Sequence, residues 1–186
     1  MTTENSEKTA DSVKLFLPDE TATEALAVRL APLICSQKPT IQTPSHGGRI
    51  HLRGDLGAGK TSFARALLRA AGVKGRIKSP SYALLESYNL SKLDLYHFDF
   101  YRFSESREWV DAGFRDILYS DGVVLIEWPE RAGNLLPPPD LDIHIEYAES
   151  GRYASLTPYS DKGKLWLTTL ALSARGSVNP EPPAAA

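Results

Sequence analysis

Between a short apolar run, Arg49 to Arg53, and a helical pattern opening at Lys60 stands GDLGAGKT, Gly54 to Thr61. Gly54, Gly59, Lys60 and Thr61 satisfy G-x-x-x-x-G-K-S/T, in the strand-to-helix setting that phosphate binding requires. Glycines let such a loop adopt backbone angles closed to other residues, so that successive N–H groups turn toward phosphate oxygens. The following helix N-terminus adds partial positive charge. This stretch commits the chain to strand, loop and helix in immediate succession, and so to an α/β fold. It predicts nucleotide binding by Gly54, Asp55, Leu56, Gly57, Ala58, Gly59, Lys60, Thr61 and Ser62, with Lys60 on the β and γ phosphates and Thr61 offering its hydroxyl to Mg²⁺. No guanine-specifying NKxD string is present, which points to ATP.

A phosphate cradle needs carboxylates for the metal and for the attacking water. VVLIEW, Val123 to Trp128, is an apolar strand ending in an acid. That pattern lifts Glu127 to the C-terminal edge of a sheet, beside the phosphate loop; a solvated strand-edge glutamate is the plain alternative. In YHFDFYRF, Tyr96 to Phe103, period-two alternation puts His97, Asp99 and Tyr101 on one face and Tyr96, Phe98 and Phe100 on the other. If the aromatic trio meets the core, the polar trio meets a cleft or solvent. On pattern alone Asp99 is equally a half-exposed acid paired with Arg102 or a lysine, and His97 a hydrogen-bonded structural histidine.

SVKLFLP predicts a first strand and DETATEALAVRLAPLI a helix, with Ala22, Leu26, Leu30 and Leu33 or Ile34 in phase. Residues 35–48, rich in Pro, Ser, Thr and Gly, predict a long loop. SYALLESYNL and LDLYHFDFYRF predict an antiparallel pair across NLSK, and SESREWVDAGFRDIL helical pieces interrupted at Gly113. Two alternating strands, LDIHIEYAE and RYASLTPYS, and an amphipathic segment, KLWLTTLALSA, close the pattern. The expected organisation is one domain over residues 12–174 between disordered ends at 1–11 and 175–186. Its fold is a three-layer P-loop NTPase-like α/β domain with a mixed central sheet.

With 186 residues, a formal charge of −2 and no run of 18 apolar residues, the chain has neither a global basic field for nucleic acid nor a membrane span. A soluble cytoplasmic protein is expected. The one cysteine, Cys35, sits in an apolar helical stretch and reads as a packing residue. VKGRIK, Val73 to Lys78, reads as a solvated basic loop.

Taken together, GDLGAGKTSFARALL, KSPSYALLESY, LYHFDFYR, GFRDIL and VVLIEWPERAGNLLP resemble, in order and spacing, the bacterial TsaE (YjeE-like) family. The resemblance runs from about Leu15 to Tyr159. It implies a small P-loop ATPase of tRNA threonylcarbamoyladenosine biosynthesis that joins TsaB and TsaD, the enzymes of threonylcarbamoyl transfer. Its hydrolysis, weak in isolation, would reset that complex between turnovers, with tRNA met only through the complex. Asp99 matches the aspartate of YHFDxYR, at the metal and the attacking water, and Glu127 the glutamate of IEW, a metal-side ligand. Trp128 matches a tryptophan close to the nucleotide, where pattern alone favours a core residue. Thr23 corresponds to a threonine near the adenine pocket, where the ordinary reading is a helix N-terminal hydroxyl. Many members carry SPT where this chain has Ser79-Pro80-Ser81, a switch-like segment; Ser81 keeps the hydroxyl and loses a methyl. Residues 37–48 form a longer insert than usual.

Two other functions share the cradle. A small-molecule kinase would need an acceptor pocket and a lid with arginines, and Arg131 and Arg152 look too scattered in sequence to form one. A non-catalytic module in which ATP orders a docking surface fits the aromatic LYHFDFYRF and KSPSY equally well.

Overall fold

The computed structural model of the protein describes residues 12–35, 47–105 and 107–175. Most of the expected loop at 35–48, and the expected disordered ends apart from Arg175, which is helical, lie outside the described residues.

Seven strands, β1 (Val13–Leu17), β2 (Gly48–Arg53), β3 (Leu85–Leu90), β4 (Leu93–Asp99), β5 (Val123–Glu127), β6 (Leu141–Tyr147) and β7 (Arg152–Pro158), form one sheet in the order β1-β7-β6-β2-β5-β4-β3. β6, β2, β5 and β4 run parallel at the centre, while β3 on one flank and β7 and β1 on the other are antiparallel. The sheet is therefore mixed as expected, though its antiparallel character comes from both flanks and not from the β3–β4 hairpin alone.

The helices are α1 (Glu20–Ile34), α2 (Lys60–Ala70), α3 (Glu108–Asp111), α4 (Arg115–Leu118) and α5 (Asp161–Arg175). Asp19 caps α1 by accepting the Ala22 amide at 2.8 Å, as a short acidic side chain at an N-cap does. Leu26, Leu30 and Ile34 then recur on one buried face and pack with Phe63, Leu67 and Leu68 of α2 against Ile50, Leu52, Leu125 and Ile143 of the sheet. The opposite face carries a second core. There Phe98, Phe100, Val124 and Ile126 meet Trp109, Leu118 and Ala132.

β4 and β5 are thus buried from both sides, which explains why β5 has no exposed residue. The expected alternation in β4 holds: Phe98 and Phe100 enter the second core, with Tyr96 packed against it, and His97 and Asp99 point to the other face. His97, however, meets neither cleft nor solvent; it is fully buried.

Ser81 to Leu84, expected within a strand, form a turn instead, and Leu84 sits at φ +65°. Cys35 is half-buried, and burial pushes its thiol up to about 12, consistent with a packing role. Lys74, Arg76 and Lys78 are exposed. Among the described residues no helix is long and apolar enough to cross a membrane.

Candidate phosphate-binding site

The site follows from sheet register. Leu52 of β2 and Asp99 of β4 both pair with Glu127 of β5, so three adjacent parallel strands end in one row. Gly54 to Gly59 begin where β2 stops, and α2 starts at Lys60. Gly54, Gly57 and Gly59 take φ of +130°, +76° and +116°, a region closed to most side chains. A β-carbon on Gly54 would lie 2.1 Å from the Ile145 carbonyl oxygen, so glycine is required there by space as well as by torsion.

Above the row lies a cavity of about 150 Å³ lined by Leu56, Gly57, Gly59, Lys60, Thr61, Ser81, Asp99, Tyr101, Glu127 and Trp128. Nine of the candidates named above therefore share one cleft with Tyr101.

Each acid is held differently. Glu127, almost fully buried, accepts the Thr61 hydroxyl on Oε2 at 2.8 Å, and its Oε1 lies 2.8 Å from His97 Nε2. Asp99, also buried, accepts the Ser81 hydroxyl on Oδ2 at 2.9 Å and the Tyr101 amide on Oδ1 at 3.0 Å. Ser79 Oγ lies 2.7 Å from Ser81 Oγ, extending the chain of hydroxyls into the Ser79-Pro80-Ser81 segment.

Lys60 is folded back on its own loop. Its ammonium donates to the carbonyls of Gly54 at 2.6 Å and Asp55 at 2.8 Å and sits 3.8 Å from the centroid of Trp128. Burial lowers its pKa from the ordinary lysine value, opposed by the carboxylates of Glu127, Glu130, Asp99 and Asp55. Trp128 reaches this position because its backbone is left-handed, φ +58° and ψ +48°. Its ring meets Tyr101 at 5.0 Å, and the Arg131 guanidinium lies 5.7 Å from the Tyr101 centroid.

Four candidates lie outside the cavity lining in supporting places. Gly54 and Asp55 supply the carbonyls just described, Ala58 is buried in the main core, and Ser62 donates to Glu20 of α1 at 2.5 Å. Thr23 is not brought into the cleft. The N-cap of α1 is Asp19 and not Thr23, whose hydroxyl donates back to the Asp19 carbonyl one turn earlier at 3.3 Å and whose methyl would lie 3.6 Å from a β-carbon on Gly59.

Three contacts had no signal in the sequence. His97 reaches Glu127 from the neighbouring strand. The Tyr147 hydroxyl donates to the Leu56 carbonyl at 3.0 Å across 91 positions. Arg152, whose Nε has no hydrogen-bond partner among the described residues, would lie 3.7 Å from a β-carbon on Gly59. Arg131 and Arg152, scattered along the chain, thus both border the loop or its cleft.

An oxygen-only donor set of hydroxyl and carboxylates suits a hard cation such as Mg²⁺, and clustered amides with a lysine suit a phosphate chain. Residues 17–154 match the family model described as TsaE, threonylcarbamoyl adenosine biosynthesis protein. The protein named tRNA threonylcarbamoyladenosine biosynthesis protein TsaE in Haemophilus influenzae is 40% identical over 115 residues, 62% of this chain and 73% of that one. The protein of the same name in Rickettsia felis is 35% identical over 153 residues, 81% and 83% of the two chains. The crystal structure of Bacillus subtilis YdiB superposes with a TM-score of 0.69 at 26% identity, covering 89% of this chain and 97% of that one.

Proposed function

The chain belongs to the TsaE family of threonylcarbamoyl adenosine biosynthesis proteins, and from that footing we propose that it is a Mg²⁺-dependent ATPase acting on the TsaB–TsaD complex in the cytoplasm. It meets tRNA only through that complex. The observation that carries the reading is the row formed by Leu52, Glu127 and Asp99, which sets two carboxylates beside a glycine-shaped loop and its lysine.

In this reading the amides of Gly54 to Thr61 receive the phosphate chain, and Lys60 exchanges the Gly54 and Asp55 carbonyls for phosphate oxygens. That exchange suits a lysine, whose flexible stem lets one charge serve two sites. Thr61 and Glu127 would hold Mg²⁺, with Asp99 beside them. When bound, the metal neutralises charge on the phosphates. Asp99 orients the attacking water and accepts its proton, and Ser81 and the Tyr101 amide, one on each oxygen, fix the orientation of its carboxylate for that task. Arg152 and Trp128 border the loop as further nucleotide contacts.

Phosphate release is measured with the full chain, alone and with TsaB, TsaD and tRNA. Asp99→Ala and Glu127→Ala are expected to bind nucleotide and to lose release in the presence of the complex. Full-rate release in both variants would remove their catalytic role. A complex that needs bound ATP but not its hydrolysis would favour the ATP-switched module.

A further inference from the structure

We propose that His97 is a positioning residue for the metal-side carboxylate, holding Glu127 so that one oxygen stays committed inward and the other faces Thr61 and the cation. The inference rests on the reading of Glu127 as a Mg²⁺ ligand.

The register explains the contact. On β4, His97 pairs with Leu125, two residues before the rung shared by Asp99 and Glu127, and it points to the same face as Asp99. The imidazole therefore lies directly beneath the acids, fully buried. Among the described residues, the Glu127 carboxylate is hydrogen-bonded by Thr61 on Oε2 and by His97 on Oε1, each at 2.8 Å. Lys60, the nearby cation, gives its protons to the Gly54 and Asp55 carbonyls instead.

The ring acts as the donor in this pair. His97 Nδ1 has no hydrogen-bond partner among the described residues. A bare lone pair there costs less than a buried N–H without an acceptor, so the proton belongs on Nε2. A carboxylate with only Thr61 left would keep one oxygen without a donor and could rotate about its terminal bond. The direction of Oε2 would then no longer be set. Groups that orient metal ligands in this way commonly change metal affinity or activity by about 10- to 100-fold when removed. Among the described residues, the loop amides and Lys60, which make the phosphate grip, share no hydrogen bond with His97.

The test separates metal from phosphate. ADP binding to the full chain is measured by calorimetry across a Mg²⁺ titration and again in EDTA. His97→Leu fills the space without a donor and is expected to raise the Mg²⁺ concentration needed for half-maximal tightening by about 10- to 100-fold, with affinity in EDTA unchanged within about twofold. His97→Gln carries an amide N–H to the reach of Nε2 and is expected to restore the wild-type midpoint. If His97→Leu does not fold, His97→Asn replaces it, because its amide is drawn back by one carbon; the same shift is expected.

Equal Mg²⁺ midpoints in the wild type and the donor-free or shortened variant overturn the role. So does a Gln variant no better than the Leu or Asn variant, or an equal loss of binding in EDTA and in Mg²⁺, since each would make His97 a space-filling residue. A wild-type protein whose ADP binding ignores Mg²⁺ would instead overturn the metal reading of Glu127, and this inference with it.

Discussion

The two walls of the cleft are built from different material. On one side Thr61, Glu127 and His97 come from the start of α2 and from two central strands, and all three are tied side chain to side chain. On the other, Asp99 ends its strand but is held by Ser81 and the Tyr101 amide, both in turns. That second wall also carries Tyr82, 85% exposed beneath Arg102, and Tyr101, 42% exposed, with Leu84 at positive φ. The first wall is tied into the core packing, whereas the second rests on turn residues with exposed side chains, the kind of segment that opens at lower cost.

The sharpest way to break the contrast is to damage the rigid side. Gly54→Ala forces a β-carbon against the Ile145 carbonyl at φ +130° and should cost about 3 kcal/mol or more. The expected fall in Tm is about 10 °C for a chain of this size, with nucleotide binding lost; calorimetry reads both. An unchanged melting curve would mean the wall yields.

Next come the two acids compared directly. Both Asp99→Ala and Glu127→Ala should reduce phosphate release by about 100-fold or more. Their stabilities should differ: Glu127→Ala strands His97 in the core and should cost about 3 kcal/mol, against about 1 kcal/mol for Asp99→Ala, whose partners are in turns. Equal losses in urea unfolding would erase the distinction between the walls.

Smaller effects test the flexible side. Ser81→Ala removes one hydrogen bond to Asp99 and should slow release about 3- to 10-fold, whereas Ser81→Thr should match the parent in the same assay. The least is expected of Tyr147→Phe, which removes the exposed bond to the Leu56 carbonyl and should weaken nucleotide binding by about twofold in a titration.

What could be read from the chain beforehand divides along the same line. The loop Gly54–Thr61 was legible because its spacing is local, and β5 because an unbroken apolar run ending in an acid has few other uses. The hairpin of β3 and β4 announced itself through its short turn. Strand order was not legible: β6 and β7 lie between β2 and β1 through pairings about 90 to 140 residues apart, which no local pattern records. The same holds for His97 with Glu127, 30 positions apart, and for Tyr147 with Leu56. The left-handed turn at Trp128, which swings the indole over Lys60, runs against the ordinary preference of a bulky residue. Its position was flagged by resemblance and not by propensity.

The shared rung of Leu52, Glu127 and Asp99 also makes this chemistry all or nothing. A slip of β4 by one residue along β5 would turn Asp99 and His97 into the aromatic layer and bring Phe98 and Phe100 up to the phosphates. Loops around the mouth can lengthen or change composition without altering the spacing of the acids, because that spacing is a property of the ladder and repeats its 4.8 Å step wherever two parallel strands lie side by side.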